Sequence, residues 1–118
     1  MLPETKAQQW DAIVAHYQTL GQYNRGSEMA FLVQHIVSSG AAARLFAFTS
    51  HATLKLGIYE LMTTNQEMLW ISFIPEKGLF SFDYYANDDR RTQPEFSRLY
   101  PEEIVTQKFD QCIRWLRW

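Results

Sequence analysis

The hydrophobic pattern changes period along this chain, and that change restricts its fold more than any other feature. Up to Ala41-Ala42-Ala43 the apolar residues recur every three or four positions, from Leu45 to Tyr85 they alternate, and after Pro101 the three-to-four spacing returns. The first spacing lines one side of a helix and the second one face of a strand. The order is therefore helix, sheet, helix.

Residues 3–20 predict an amphipathic helix with Trp10, Ile13, Val14, Tyr17 and Leu20 on one stripe. Pro3 suits a first turn, Glu4 the positive end of the dipole, and Gly21 a stop. A polar turn at 22–26 leads to a second helix, capped by Ser27 and ended by Gly40. Its stripe is Met29, Leu32, Val33, Ile36 and Val37, with Phe31 on the opposite side. Four strands follow, at 44–49, 54–59, 67–74 and 79–85. The last two flank Pro75-Glu76-Lys77-Gly78, a turn that makes them an antiparallel hairpin. Residues 86–100 are polar and read as a long loop. A third helix starts at Pro101, with Glu102 and Glu103 at its head and Arg114 and Arg117 in its last turn. Val105, Phe109, Cys112, Ile113 and Leu116 form its stripe, Trp115 lies at the rim, and Trp118 falls off it. The expected architecture is a single α+β domain spanning 1–118, of order ααββββα. It is a two-layer fold with a four-stranded, mostly antiparallel meander and all three helices on one face.

With 118 residues, 47% of them apolar, the chain has material for a core without disulfides. A net charge of −2 from 11 basic and 13 acidic side chains argues against a nucleic-acid or membrane surface, both of which need a dense positive field. The single cysteine, Cys112, cannot form an internal disulfide, and the start Met1-Leu2-Pro3-Glu4 has no apolar leader, so a cytoplasmic location is expected.

No motif for catalysis, metal or phosphate stands out, and neither a cofactor nor a metal is expected. His16 and His35 lie on the polar sides of their helices, without a second ligand at zinc spacing, and read as solvated. Cys112 reads as inert packing. His51 sits in Thr49-Ser50-His51-Ala52-Thr53, where such side chains commonly stabilise a turn. Ser50 and His51 are not a nucleophile–base pair, because neighbours in extended chain point apart. Asp83 lies among Phe82, Tyr84 and Tyr85, facing solvent by alternation or, in an apolar setting, holding a raised pKa.

The aromatic content of 15% is the unusual feature. Alternation puts Leu69, Ile71 and Phe73 on one face of the hairpin with Phe80, Phe82 and Tyr84. Met68 and Trp70 take the other face with Leu79 and Tyr85. Helices cover one face, and Trp70, Tyr59 and Tyr85 are left for a partner or for a covering loop. The charged run Asp88-Asp89-Arg90-Arg91 would form the rim.

These readings favour a non-enzymatic protein-binding module that uses the aromatic sheet face and the 86–100 loop to engage another protein or a second copy of itself. The layout is similar to that of many bacterial toxin-immunity proteins, although no residue motif carries that resemblance. The alternative is a small-ligand or hydrolytic domain with an aromatic-lined pocket bearing His51, Asp83 and Tyr84. Single-stranded nucleic-acid binding ranks last, since Arg44, Lys55 and Lys77 are too few cations around the rings.

Overall fold

The computed structural model describes residues 5–21, 27–50, 52–62, 66–86 and 93–118. In chain order the elements are β1 (Thr5–Lys6), α1 (Trp10–Gly21), α2 (Ser27–Ser38), β2 (Phe46–Ser50), β3 (Thr53–Gly57), β4 (Leu61–Met62), β5 (Met68–Ile74), β6 (Leu79–Tyr85), β7 (Phe96–Pro101) and α3 (Glu102–Leu116). Five strands form one antiparallel sheet in the order β2-β3-β5-β6-β7, and β1 pairs with β4 beside it. The α+β layout and the meander stand as expected, with five strands in place of four.

Two expected element boundaries need correction. Residues 96–101 belong to a strand rather than to a long loop, with Tyr84 opposite Phe96 and Phe82 opposite Arg98. They supply a ladder partner for the outer edge of β6. The first helix begins at Trp10 rather than near residue 3. The backbone just ahead of it bonds elsewhere instead: Ala7 N–H to the Glu60 carbonyl, just before β4, at 2.8 Å and Gln8 N–H to the Ala47 carbonyl of β2 at 2.9 Å.

Register divides the sheet into two faces. Ala47, Leu54, Leu56, Leu69, Ile71, Phe80 and Phe82 share the inner face and pack with Ile13, Tyr17, Leu32, Ile36, Val105, Phe109 and Ile113 of the helices in one buried core. Tyr17 is fully buried and donates its hydroxyl to the Ala52 carbonyl at 3.2 Å, which ties α1 to the β2–β3 turn. Val37, expected on the apolar stripe of α2, is exposed, as is Phe31 opposite. The β5–β6 hairpin closes through Gly78 at φ 63, where its N–H reaches the Ile74 carbonyl at 2.9 Å. Side chains rarely tolerate that φ, so the glycine is what permits the short turn.

The end of α3 corrects the reading of Trp118. Arg117 takes a left-handed conformation at φ 62, and the Trp118 N–H bonds back to the Ile113 carbonyl at 3.1 Å. This is the geometry of a helix C-cap motif. It folds Trp118 against the core, its ring 6.3 Å from that of Tyr84, although continued helix would have carried it off the stripe.

Candidate functional site

The outer face of the sheet carries the residues that the sequence singles out. Trp70 and Tyr85 lie on neighbouring strands with ring centroids 4.9 Å apart and are both half-buried. Lys55, opposite Trp70 in register, places its ammonium 4.2 Å from the Trp70 ring and is only 6% exposed. A cation held over an indole face in a dry setting is a favourable pairing. Phe48 and Met68 on the same face are buried yet stand outside the main core. This face is thus substantially covered, and Trp70 Nε1 is itself buried with no acceptor among the described residues. Tyr59 is 47% exposed, just past the end of β3. Asp88, Asp89, Arg90 and Arg91 lie outside the described residues, as does His51.

Asp83 and Tyr84 do not line one pocket. Adjacent residues on β6, they project to opposite faces. Asp83 accepts hydrogen bonds from Ser97 Oγ at 2.5 Å and Ser81 Oγ at 3.2 Å on the outer face. On the inner face Tyr84 donates to Glu67 Oε2 at 2.6 Å and stacks on Phe96, with centroids 5.3 Å apart. Burial, and the bond to the Glu67 carboxylate, push the Tyr84 phenol well above the usual tyrosine range, so it remains a neutral donor. His35 is not a solvated surface residue: Nε2 lies 2.9 Å from Asp110 Oδ1 and the ring meets Phe109 edge-on, joining α2 to α3. Among the described residues no group of three or more His, Cys, Asp or Glu could hold a metal, and no helix is long and apolar enough to cross a membrane.

A concave site lies elsewhere, between β7 and α3. A groove of about 510 Å³ is lined by Glu95, Phe96, Arg98, Tyr100, Lys108, Gln111, Cys112 and Trp115. Alternation along β7 sends Phe96, Arg98 and Tyr100 to the same face, and helical spacing puts Lys108, Gln111, Cys112 and Trp115 on the facing side of α3. Trp115 is 69% exposed and touches Phe96 edge-on at 5.4 Å between centroids. At the other end the Lys108 ammonium lies 5.9 Å from the Tyr100 ring. Arg98 donates from Nη1 to the Ser97 carbonyl at 2.8 Å and stands 5.9 Å from the Phe96 ring. Cys112 forms part of the floor, where burial pushes its thiol up to about 11 and keeps it protonated near neutrality.

Neither a family model, a curated protein nor a solved structure matches this chain. The groove escaped sequence reasoning because residues 96–100 of its strand wall read as part of a polar loop. Phe96-Ser97-Arg98-Leu99-Tyr100 runs apolar, polar, polar, apolar, apolar, which lacks the alternation that marks a strand in sequence.

Proposed function

We propose that this chain is a non-enzymatic protein-binding module whose contact surface is the groove between β7 and α3. The observation that carries this reading is Trp115. A tryptophan 69% exposed beside a concave aromatic wall is an expensive surface for a monomer to leave in water. Tryptophan and arginine, both present here, are the residues most often dominant in protein–protein contacts. The outer sheet face supports the reading less, because Trp70 and Tyr85 are half-buried and Lys55 occupies the Trp70 ring. Inhibition of a bacterial toxin is a narrower form of the same proposal and rests on the layout alone.

Panning a random peptide library displayed on phage against the wild-type protein tests the proposal. Recovered peptides should bind wild type and lose binding to Trp115→Ala, with the variant still folded by circular dichroism. Recovery of no peptide that distinguishes the two proteins would end this reading.

A further inference from the structure

We infer that the groove receives an extended acidic segment of a partner protein, added to the free edge of β7 as a sixth strand. An apolar side chain of that segment packs on Phe96 and Trp115, and its carboxylates meet Arg98 and Lys108. The inference rests on the groove being the protein-binding surface.

Sheet order supplies the first argument. β2 and β7 are the two edges, and they are treated differently. The β2 edge is met by the chain's own Gln8, whose backbone bridges to Ala47 and whose Oε1 accepts from the Thr49 N–H at 2.7 Å. No strand lies beside the outer edge of β7 among the described residues. An open edge presents a row of backbone donors and acceptors that an extended segment can pair with.

Charge supplies the second. Among the described residues neither Arg98 nor Lys108 pairs with a carboxylate. Arg98 bonds only the adjacent Ser97 carbonyl, and Lys108 reaches Gln111 Oε1 at 3.5 Å. Among the described residues the one carboxylate lining the groove is Glu95, which adjoins Phe96 at the apolar end. A second copy of this chain is a poor occupant, because its own β7, Phe96-Ser97-Arg98-Leu99-Tyr100-Pro101, brings no carboxylate to Arg98 and Lys108 and adds a further arginine to the ladder. Like charges adjacent across a ladder destabilise it.

Spacing makes the inference specific. Phe96, Arg98 and Tyr100 follow one another at every second residue, so a paired segment faces them with an apolar residue and, two and four positions away, acidic ones. The helical wall agrees: Lys108 to Trp115 rises about 10 Å, the span of roughly three residues of extended chain.

Two capped seven-residue peptides serve as probes. Each alternates threonine with one phenylalanine and two glutamates, with the phenylalanine first in one and last in the other, so both strand directions are covered. Lysine replaces glutamate in the controls. Titration of the ¹⁵N-labelled protein should move the amide signals of 96–101 and 108–115 with a glutamate peptide and leave them in place with the lysine controls. Arg98→Glu/Lys108→Glu should raise the Kd of the glutamate peptide by about tenfold or more and confer binding of its lysine counterpart. Should that variant misfold, Arg98→Gln/Lys108→Gln should weaken the glutamate peptide without conferring lysine binding. Equal binding of both peptides by wild type, or β7 signals that move with protein concentration rather than with peptide, would overturn the inference. If phage-selected peptides depend on Trp115 yet carry no acidic residues and ignore the charge reversal, the acidic strand is wrong while the binding reading survives. If no peptide depends on Trp115, the binding reading itself has failed.

Discussion

Trp115→Ala separates a surface kept for binding from a surface kept for folding, and its cost follows from the structure. About a third of the ring is hidden, since 69% is exposed. A tryptophan side chain offers up to about 250 Å², so roughly 75–80 Å² leaves water, worth about 2 kcal/mol at ~25 cal/mol per Å². A compact unfolded state already hides part of that area, which lowers the figure to about 1.5 kcal/mol. The edge-on contact with Phe96 adds up to about 1 kcal/mol. Alanine's better helix propensity returns about 0.5 kcal/mol. The net loss is about 1–2 kcal/mol, against about 3–5 kcal/mol for Phe109→Ala, whose ring is fully buried in the same helix. Urea unfolding followed by far-ultraviolet circular dichroism measures both, with unchanged m-values as the check that each variant unfolds in two states. A loss above about 3 kcal/mol for Trp115→Ala, within the range for burial in a core, would refute the argument.

Tyr17→Phe removes a buried hydroxyl bonded to the Ala52 carbonyl and should cost about 1 kcal/mol at pH 8. Burial raises the Tyr17 pKa above 10.0, so the unfolded chain releases that proton first; stability is full below pH 10 and falls as pH rises beyond it. Wild type should therefore weaken more steeply than Tyr17→Phe between pH 9 and 11, and parallel urea midpoints across that range would contradict the assignment. Cys112 should react slowly with iodoacetamide at pH 8, with a rate midpoint near 11, because burial holds its thiol protonated; a midpoint near 9 would show an open thiol. Arg117→Gly should stabilise the protein by about 0.5–1 kcal/mol, since glycine adopts the left-handed cap at φ 62 without the Cβ penalty; a loss of stability would show that the Arg117 side chain holds the Trp118 turn in place.

The hairpin of β5 and β6 was readable because both strands alternate cleanly around Pro75–Gly78. The observed pairing of Ile71 with Phe82 and of Phe73 with Phe80 follows from that alternation. β7 was obscured because Phe96-Ser97-Arg98-Leu99-Tyr100 follows a polar stretch with Pro94 and does not alternate apolar with polar, so that only the neighbouring edge of β6 makes it a strand. The coverage of the outer face was invisible for a related reason. Alternation separates Trp70 from Leu69 and Ile71, but only the register of the fold brings Phe48 and Lys55 to the same face, and only the fold shows them buried there. Trp118 was misplaced because helical periodicity assumes that the helix continues, and one left-handed residue at Arg117 ends it. His35 and Asp110 are 75 positions apart, and nothing local to either announces their contact.

What makes the β7–α3 groove suited to recognition is that its two walls are continuous in the chain. Pro101 ends β7, and Glu102 begins α3 with no intervening loop. The helix is fastened by the buried side chains of Val105, Phe109 and Ile113, and the strand by its ladder to β6 and by Tyr100 meeting Phe82 edge-on at 5.2 Å. On α3 these buried positions lie beside the groove-lining Lys108, Gln111, Cys112 and Trp115, and on β7 Tyr100 both packs on Phe82 and lines the groove. The core contacts that hold α3 against the sheet thereby also fix the separation between Trp115 and Phe96 and between Lys108 and Tyr100. Binding then costs little ordering of the receptor, since exposed groups on packed helix and strand lose less freedom than the same groups on a loop. Substitutions beneath the groove, such as Phe109→Ala, should on this argument weaken recognition by shifting its walls, whereas Trp115→Ala should weaken it by removing the contact itself.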